Sequence, residues 1–272
     1  MRSPIFFSIF WLGTACAYTL KTDYTGDNYA DFFNKFSFWT SSDPTNGYVD
    51  YVDQATSLSN GLIGTGGNIY IGVDHTNVAS GRGRKSVRLT STESYDVNTL
   101  FVVDIAHMPQ TCGTWPSFWT TATTSTWPQQ GEVDIIEQAN NAQNNQMSLH
   151  ISNKQGSCVA SSSSQMTAKK DRWGDCTQEA QGGCDANDPR TTFFGSGFNN
   201  NGGGVYAMEW TASHVRIWFF PRNSIPNGTS GPLGSSPVPS RWGTPTTSFE
   251  GCDFDAHIKK QHIVIDTTFC GD

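Results

Sequence analysis

The segment 131–137, with the sequence GEVDIIE, places three carboxylates in a run of residues that otherwise favour β-strand. Glu132 and Asp134 are two residues apart, so a strand would project both side chains from one face. Glu137 is five residues beyond Glu132 and would point the opposite way from a regular strand. One extra residue around Ile135–Ile136, forming a β-bulge, would return Glu137 to the face of the other two acids. The segment therefore predicts a bulged strand with one acidic face and one apolar face.

Three carboxylates on one face repel each other and are costly to desolvate, so a purely structural strand gains nothing from them. Glycoside cleavage uses such a group, because one ionised carboxylate attacks the anomeric carbon and a second donates a proton to the leaving oxygen. The long side chains of Glu132 and Glu137 can lean toward each other over the shorter Asp134. The pattern leaves two alternatives open: a solvent-facing acidic strand, and a Ca²⁺ loop, which usually carries Gly and Asn among its acids.

Short strand patterns alternate with Gly, Pro and Asn turns along the chain, and no helical stripe or internal repeat stands out. This alternation predicts one all-β domain, either a sandwich or a barrel, and periodicity does not choose between them. A hairpin is expected at 211–214. Besides 131–137, the clearest predicted strands are 68–74, 86–91, 100–108, 147–152, 205–211, 214–220 and 262–268.

The first 17 residues have the pattern of a secretory signal peptide. Arg2 supplies the positive end, residues 5–12 form a short apolar run, and 15–17 have the small-x-small cleavage pattern. An uncleaved anchor is the alternative, but the apolar run is too short to span a bilayer. We therefore expect a secreted, extracellular protein whose mature chain begins at Tyr18, with residues 18–272 as a single domain.

Six cysteines remain after the predicted cleavage, and an even number in a secreted chain predicts disulfides: Cys112, Cys158, Cys176, Cys184, Cys252 and Cys270. The first pairing we expect is Cys176 with Cys184, around a Gly-rich loop. Zinc is the alternative use, but no Cys-x-x-Cys or paired His spacing supports a metal site. Asn227 begins a glycosylation sequon in a Pro/Gly/Ser-rich segment that predicts an exposed loop.

The formal net charge of −7 argues against nucleic acid and anionic membranes as partners, because both reward clustered cations. It is compatible with a neutral polysaccharide. Acid/base cleavage of a sugar needs no organic cofactor, and we expect none. We also expect a monomer.

The acidic strand and its flanks resemble the catalytic strand of glycoside hydrolase family 16, in its laminarinase-like group with the bulged form. Further segments resemble the fungal endo-1,3(4)-β-glucanases of this family: 43–51, 81–91, CGTWPSFW at 112–119, 126–141, SLHIS at 148–152, 202–222 and 252–272. The resemblance covers about residues 25–272. It implies a concanavalin A-like β-jelly-roll sandwich with a glucan cleft across a concave sheet. It also implies retaining, endo-acting hydrolysis of β-1,3 or mixed β-1,3/1,4 glucan, with Glu132 as nucleophile, Glu137 as general acid/base and Asp134 as their helper.

Aromatic and polar residues near this strand are the expected substrate contacts. Trp127 lies five residues before Glu132, a spacing that the family uses for a sugar platform, and indole faces pack well on sugar C–H groups. The full set of expected contacts is Trp115, Trp119, Trp127, His150, Arg88, Asn140 and Glu209. Core packing is the alternative for the tryptophans, and it is the expectation for Trp210 and Trp218.

The sequence departs from the family pattern at Gly271–Asp272, where members commonly continue with a Trp, a Cys-containing loop and a final strand. We therefore expect a domain truncated at its C-terminus, with the last strand missing and Cys270 without its partner. Two other functions remain open from sequence: a cell-wall transglycosylase using the same acids, and a glucan-binding protein with impaired turnover.

Overall fold

A computed structural model describes residues 17–25, 29–65 and 67–272. The predicted signal peptide lies outside the described residues, except for Ala17. Sixteen strands occur in chain order: β1 Phe36–Phe38, β2 Val49–Tyr51, β3 Ile63–Thr65, β4 Ile69–Ile71, β5 Arg84–Ser86, β6 Arg88–Ser91, β7 Thr99–Ile105, β8 Thr114–Ala122, β9 Glu132–Glu137, β10 Gln146–His150, β11 Lys169–Lys170, β12 Cys184–Asn187, β13 Gly204–Trp210, β14 His214–Pro221, β15 Thr247–Glu250 and β16 Gln261–Phe269.

Five short α-helices lie in the connections: α1 Tyr29–Phe33, α2 Gln54–Ser59, α3 Gln178–Gln181, α4 Gly195–Asn200 and α5 Phe254–His257. Three single-turn 3-10 helices span Asn153–Gln155, Arg222–Ser224 and Pro239–Arg241. Asp53 caps the start of α2 by accepting a hydrogen bond from the backbone of Thr56. No helix within the described residues is long and apolar enough to cross a membrane.

Two antiparallel sheets dominate the fold. The larger has eight strands in the order β1-β6-β16-β8-β9-β10-β12-β11, and the smaller has four in the order β15-β14-β13-β7. Short two-stranded pairings, β2 with β5 and β3 with β4, accompany them. The expected hairpin is confirmed, because Thr211 N–H donates to the carbonyl of His214 where β13 turns into β14.

The core lies between the two sheets, which makes the fold a sandwich rather than a barrel. One cluster of buried residues combines Val133 and Leu149 of the large sheet with Met208 and Ile217 of the small sheet. These positions alternate along their strands with residues on the outer faces. Trp210 and Trp218 are buried, as expected. The outer face of the large sheet is left free to carry polar and aromatic side chains.

Two of the expected disulfides are present, Cys158–Cys252 and Cys176–Cys184, and the second is the local pair that the sequence predicted. Cys112 and Cys270 are exposed free thiols: Cys270 lacks a partner, as expected, and Cys112 is a disulfide candidate that is not paired in the described chain. Asn227 lies exposed in a loop. Its glycosylation remains a prediction.

Candidate active site

The predicted bulge is present in β9. Along β10, Ser148 pairs with Asp134 and Gln146 pairs with Glu137, so two steps on β10 match three steps on β9. Along β8, the partners of Glu132, Asp134 and Glu137 are Thr121, Trp119 and Ser117, which are spaced two apart and share one face. The extra residue therefore brings all three acids to the outer face of the large sheet.

The apolar residues of β9 anchor this strand from the other side. Val133, Ile135 and Ile136 are buried in the core between the sheets. Gly131 precedes the strand with a φ of +80°, and a Cβ there would approach a side-chain carbon of Ile258 to 2.9 Å. Only glycine fits this turn without strain. The loop before it carries Trp127, whose side chain is 50% exposed.

The acids lie in a setting that favours their protonated forms. Burial, followed by the charge of Asp266, raises the pKa of Asp134 to about 8. Burial, followed by the charge of Asp134, raises the pKa of Glu137 to about 8, although a hydrogen bond from Trp115 opposes the shift. Burial and the charge of Asp134 also raise the pKa of Glu132 well above its usual value. The three acids therefore do not all ionise together near neutral pH, and Asp134 and Glu137 are the two whose raised pKa values favour a bound proton there.

His150 faces the middle acid from the neighbouring strand. Its Nε2 is 3.4 Å from Asp134 Oδ2, and its Nδ1 is 2.9 Å from Gln178 Oε1. An amide oxygen accepts hydrogen bonds, so this contact assigns the Nδ1 proton to His150 and turns Nε2 toward the acids. The indole of Trp127 packs beside the imidazole, with ring centroids 5.8 Å apart.

Donor atoms of Glu132, Asp134 and His150 lie within 4.8 Å of one another, close enough to hold one divalent cation. The strand context differs from that of a Ca²⁺ loop, which is built from Gly and Asn among its acids. A second group with such spacing, Cys158, Cys252 and His257, has both sulfurs in a disulfide.

Trp115 and Trp119 lie on the acidic face of β8 and bond to carboxylates. Trp115 Nε1 donates to Glu137 Oε1 at 2.9 Å, and Trp119 Nε1 donates to Asp266 Oδ1 at 3.0 Å. Arg88 lies on the same face and contacts Asp266 at 3.4 Å. The structure thus brings both tryptophans and the arginine together with the acids.

Asn140 lies at the edge of the group. Its Oδ1 accepts a hydrogen bond from Gly113 N–H at 2.9 Å, and its φ of 62° places it in a tight turn. With Trp115 and Glu137 it lines a cavity of about 290 Å³ that Cys270 also borders. Its expected contact with substrate stays a prediction.

The assignment of Glu209 to the substrate cleft is wrong. Glu209 lies on β13 of the small sheet, between Met208 and Trp210, which face the core. Its side chain must therefore point outward on the opposite side of the sandwich. There it contacts His214 Nε2 at 2.9 Å and accepts a hydrogen bond from Tyr18 at 3.0 Å.

The sequence did not predict three residues of this site: Asp266 on β16, Tyr51, which donates a hydrogen bond to Asp266, and Gln178, which bonds to His150. Asp266 is an acid that directly follows the apolar run 263–265 of a predicted strand, and that position was the available signal. Its partners Arg88 and Trp119 are distant in sequence, so only the register of β16 with β6 and β8 reveals the group.

The XgeA-like catalytic domain model of glycoside hydrolase family 16 matches residues 36–272. An endo-1,3(4)-β-glucanase of Arthroderma benhamiae is 42% identical over 269 residues, which are 96% of this chain and 56% of that relative. The chain thus spans little more than half of that protein.

Two solved structures share the jelly-roll fold. Laminarinase 16A from Phanerochaete chrysosporium, crystallised with 6-O-glucosyl-laminaritriose in donor and acceptor sites, superposes with a TM-score of 0.86 and 39% identity, over 94% of this chain and 86% of that one. An elongating family 16 β-1,3-glucosyltransferase superposes with a TM-score of 0.81 and 44% identity, over 89% of this chain and 80% of that one. With its matching catalytic-domain model, this chain belongs to glycoside hydrolase family 16, in the XgeA-like group.

Proposed function

We propose that this chain is the catalytic part of a secreted, retaining endo-β-glucanase that hydrolyses β-1,3 or mixed β-1,3/1,4 glucan. The observation that carries the proposal is the bulge in β9, which puts Glu132, Asp134 and Glu137 on one face. Family membership and the activity named for the Arthroderma benhamiae relative support the substrate class.

In the first step Glu132 attacks the anomeric carbon while Glu137 donates its proton to the leaving oxygen. The glycosidic bond breaks as the bond to Glu132 forms. The raised pKa of Glu137 suits this role, because the acid keeps its proton near neutral pH. Trp115 occupies Glu137 Oε1 as a hydrogen-bond donor, so the proton resides on the other oxygen.

In the second step water attacks the same carbon. The bond to Glu132 breaks, and Glu137, now a carboxylate, takes the proton of the water. Asp134 is positioned to act through Glu132. With a pKa raised to about 8, Asp134 holds a proton that can be donated to the ionised nucleophile.

The glucan binds across the outer face of the large sheet. Trp127 is exposed beside His150 and offers an indole face to a sugar ring. Trp119 and Arg88 offer a second contact on the other side of the acids. Secretion is supported by the two disulfides, which persist in oxidising compartments.

Transglycosylation is the second candidate, favoured by the 44% identity to the elongating glucosyltransferase. It differs only in the second step, where a sugar hydroxyl replaces water. A pure binding protein is a weaker alternative, because binding alone has no need for three clustered, mutually repelling carboxylates.

The test is product release from laminarin and from barley mixed-linkage glucan by the parent, Glu132→Gln and Glu209→Gln. We expect oligosaccharides from the parent and from Glu209→Gln, whose side chain lies on the opposite sheet, and none from Glu132→Gln. A second reaction uses a laminari-oligosaccharide as the substrate. Products longer than this oligosaccharide indicate transfer, and shorter products indicate hydrolysis. A folded parent that binds glucan and releases nothing would refute turnover and support the binding alternative.

A further inference from the structure

Asp266 is a buried carboxylate that the catalytic steps do not use. It is 8% exposed and lies on β16, where its neighbours across the sheet are Ser117 of β8 and Arg88 of β6. Ser117 in turn pairs with Glu137, so Asp266 shares a sheet face with the acids. A buried charge destabilises a fold unless partners compensate it.

Both oxygens of Asp266 are used. Oδ1 accepts a hydrogen bond from Trp119 Nε1 at 3.0 Å. Oδ2 accepts hydrogen bonds from Tyr51 at 3.2 Å and from an Arg88 amino group at 3.4 Å. Three donors from three separate parts of the chain therefore converge on one carboxylate.

The same contacts hold the Arg88 guanidinium against two indole rings, and we call this group the Arg88 stack. The Arg88 guanidinium lies over the Trp119 ring, 5.0 Å from its centroid, and over the Trp39 ring at 5.5 Å. Trp39 is partly exposed, so the Arg88 stack reaches the surface beside the acid cluster. Indole and guanidinium are the groups that pack on sugar rings and donate to their hydroxyls.

We propose that Asp266 is a positioning residue of the glucan site, which holds the Trp119 indole and the Arg88 guanidinium in one fixed geometry beside the acid cluster. The proposal rests on the proposed function, because it takes the substrate to be a glucan. Without the carboxylate, the indole N–H and the guanidinium lose their common acceptor. Both side chains then become free to rotate. Part of the binding free energy must offset the entropy that they lose when the glucan orders them again.

The charge of Asp266 also reaches the acids: it raises the pKa of both Asp134 and Glu137. Replacing it by a neutral amide should therefore move the basic limb of the pH–rate profile to lower pH. The charged and titratable groups that interact with Asp266 from the packed elements are Arg88, Tyr51, Asp43, Asp134 and Glu137.

The experiment compares Asp266→Asn with the parent in two measurements: binding of a laminari-oligosaccharide, followed by tryptophan fluorescence, and steady-state kinetics on laminarin across the pH range. Loss of charge-assisted hydrogen bonds should weaken binding and raise KM about tenfold, with a smaller fall in kcat. The basic limb should shift to lower pH. If Asp266 only stabilised the fold, Asp266→Asn would lower Tm and leave KM, kcat and the pH profile of the folded enzyme unchanged.

Glu250→Gln is the matched control. Glu250 is a partly buried acid on β15 of the small sheet, where it accepts hydrogen bonds from Arg216, and it lies away from the large sheet that carries the acids. This variant should keep the parent's KM and pH profile. Equal changes in both variants, or none in Asp266→Asn, would overturn the proposal.

Tyr51→Phe and Trp119→Phe keep the test decisive if Asp266→Asn does not fold. Each removes one donor to Asp266 and keeps a ring in place. Trp119→Phe should reproduce the weaker binding, and Tyr51→Phe should give a smaller effect; unchanged binding in both refutes the proposal. The binding measurement also separates the positioning role of Asp266 from the proposed hydrolysis. A parent that binds glucan without turnover refutes the hydrolysis, and the effect of Asp266→Asn on binding can still be measured.

Discussion

Replacing Asp134 by Asn should stabilise the folded chain at neutral and alkaline pH while removing a group that the proposed mechanism needs. Asp134 is 3% exposed, and its Oδ2 has no hydrogen-bond partner. Ionising it inside the fold means burying a charge beside Glu132 and Glu137. Asn has almost the same shape and never carries that charge.

The size of the effect follows from the raised pKa. Burial and the charge of Asp266 raise the pKa of Asp134 from 3.8 to about 8. The contribution to stability is fully present below pH 3.8, where folded and unfolded chains both hold the proton. It is lost as pH rises through about 8, at roughly 1.4 kcal/mol per pH unit and roughly 6 kcal/mol in total. Asn avoids this loss.

The assay is thermal unfolding of parent and variant at about pH 4 and about pH 8. At about 2–4 °C per kcal/mol, Asp134→Asn should raise Tm by roughly 10–20 °C at the higher pH and by little at the lower. Asp188→Asn is the control, because Asp188 is equally buried but paired with Arg190. It should lower Tm at the higher pH. A Tm difference for Asp134→Asn that is the same at both pH values, or negative at the higher one, would refute the reasoning.

Three further predictions concern the acid/base, the sugar platform and the disulfides. Glu137→Gln should slow glucan cleavage far more than cleavage of activated aryl glycosides, whose leaving groups need no proton; equal losses in a kinetic comparison count against the acid/base role. Trp127→Ala should weaken oligosaccharide binding about tenfold without changing Tm, because the ring is half exposed; fluorescence titration and a melting curve check both parts. Removing the Cys158–Cys252 bridge, which spans 94 residues, should lower the unfolding free energy by about 2 kcal/mol more than removing Cys176–Cys184, which spans 8, as denaturant titration of the two double-serine variants can measure.

The bulged acidic strand could be predicted because its signal is local. The spacing of Glu132, Asp134 and Glu137 within β-forming residues leaves one way to unite the acids, and the register of β9 has that form. The sandwich needed the family resemblance, since periodic strands alone also fit a barrel. Strand β8 was not among the clearest predicted strands, and Pro116 in its interior weakens the local pattern.

The rest of the site depends on contacts between distant segments. Asp266 is 178 residues from Arg88 in sequence and 147 from Trp119, and only the sheet order brings them together. Glu209 shows the opposite failure, because its similarity to the family segment says nothing about which face of β13 it occupies. The free thiols of Cys112 and Cys270 could not be predicted from the number of cysteines. An even count predicts disulfides but does not say which thiols lie close enough to pair.

The position of β16 has a consequence for how the chain folds. This strand follows all the others in sequence, yet it lies inside the large sheet between β6 and β8. Until residues 261–269 are available, β6 and β8 each present an unpaired edge, and the contacts that join them have long sequence separations. Such topologies fold slowly and expose edges that invite intermolecular pairing. The insertion that completes the sheet also brings Asp266 to Arg88 and Trp119, so the proposed sugar-binding face assembles only once β16 has entered the sheet.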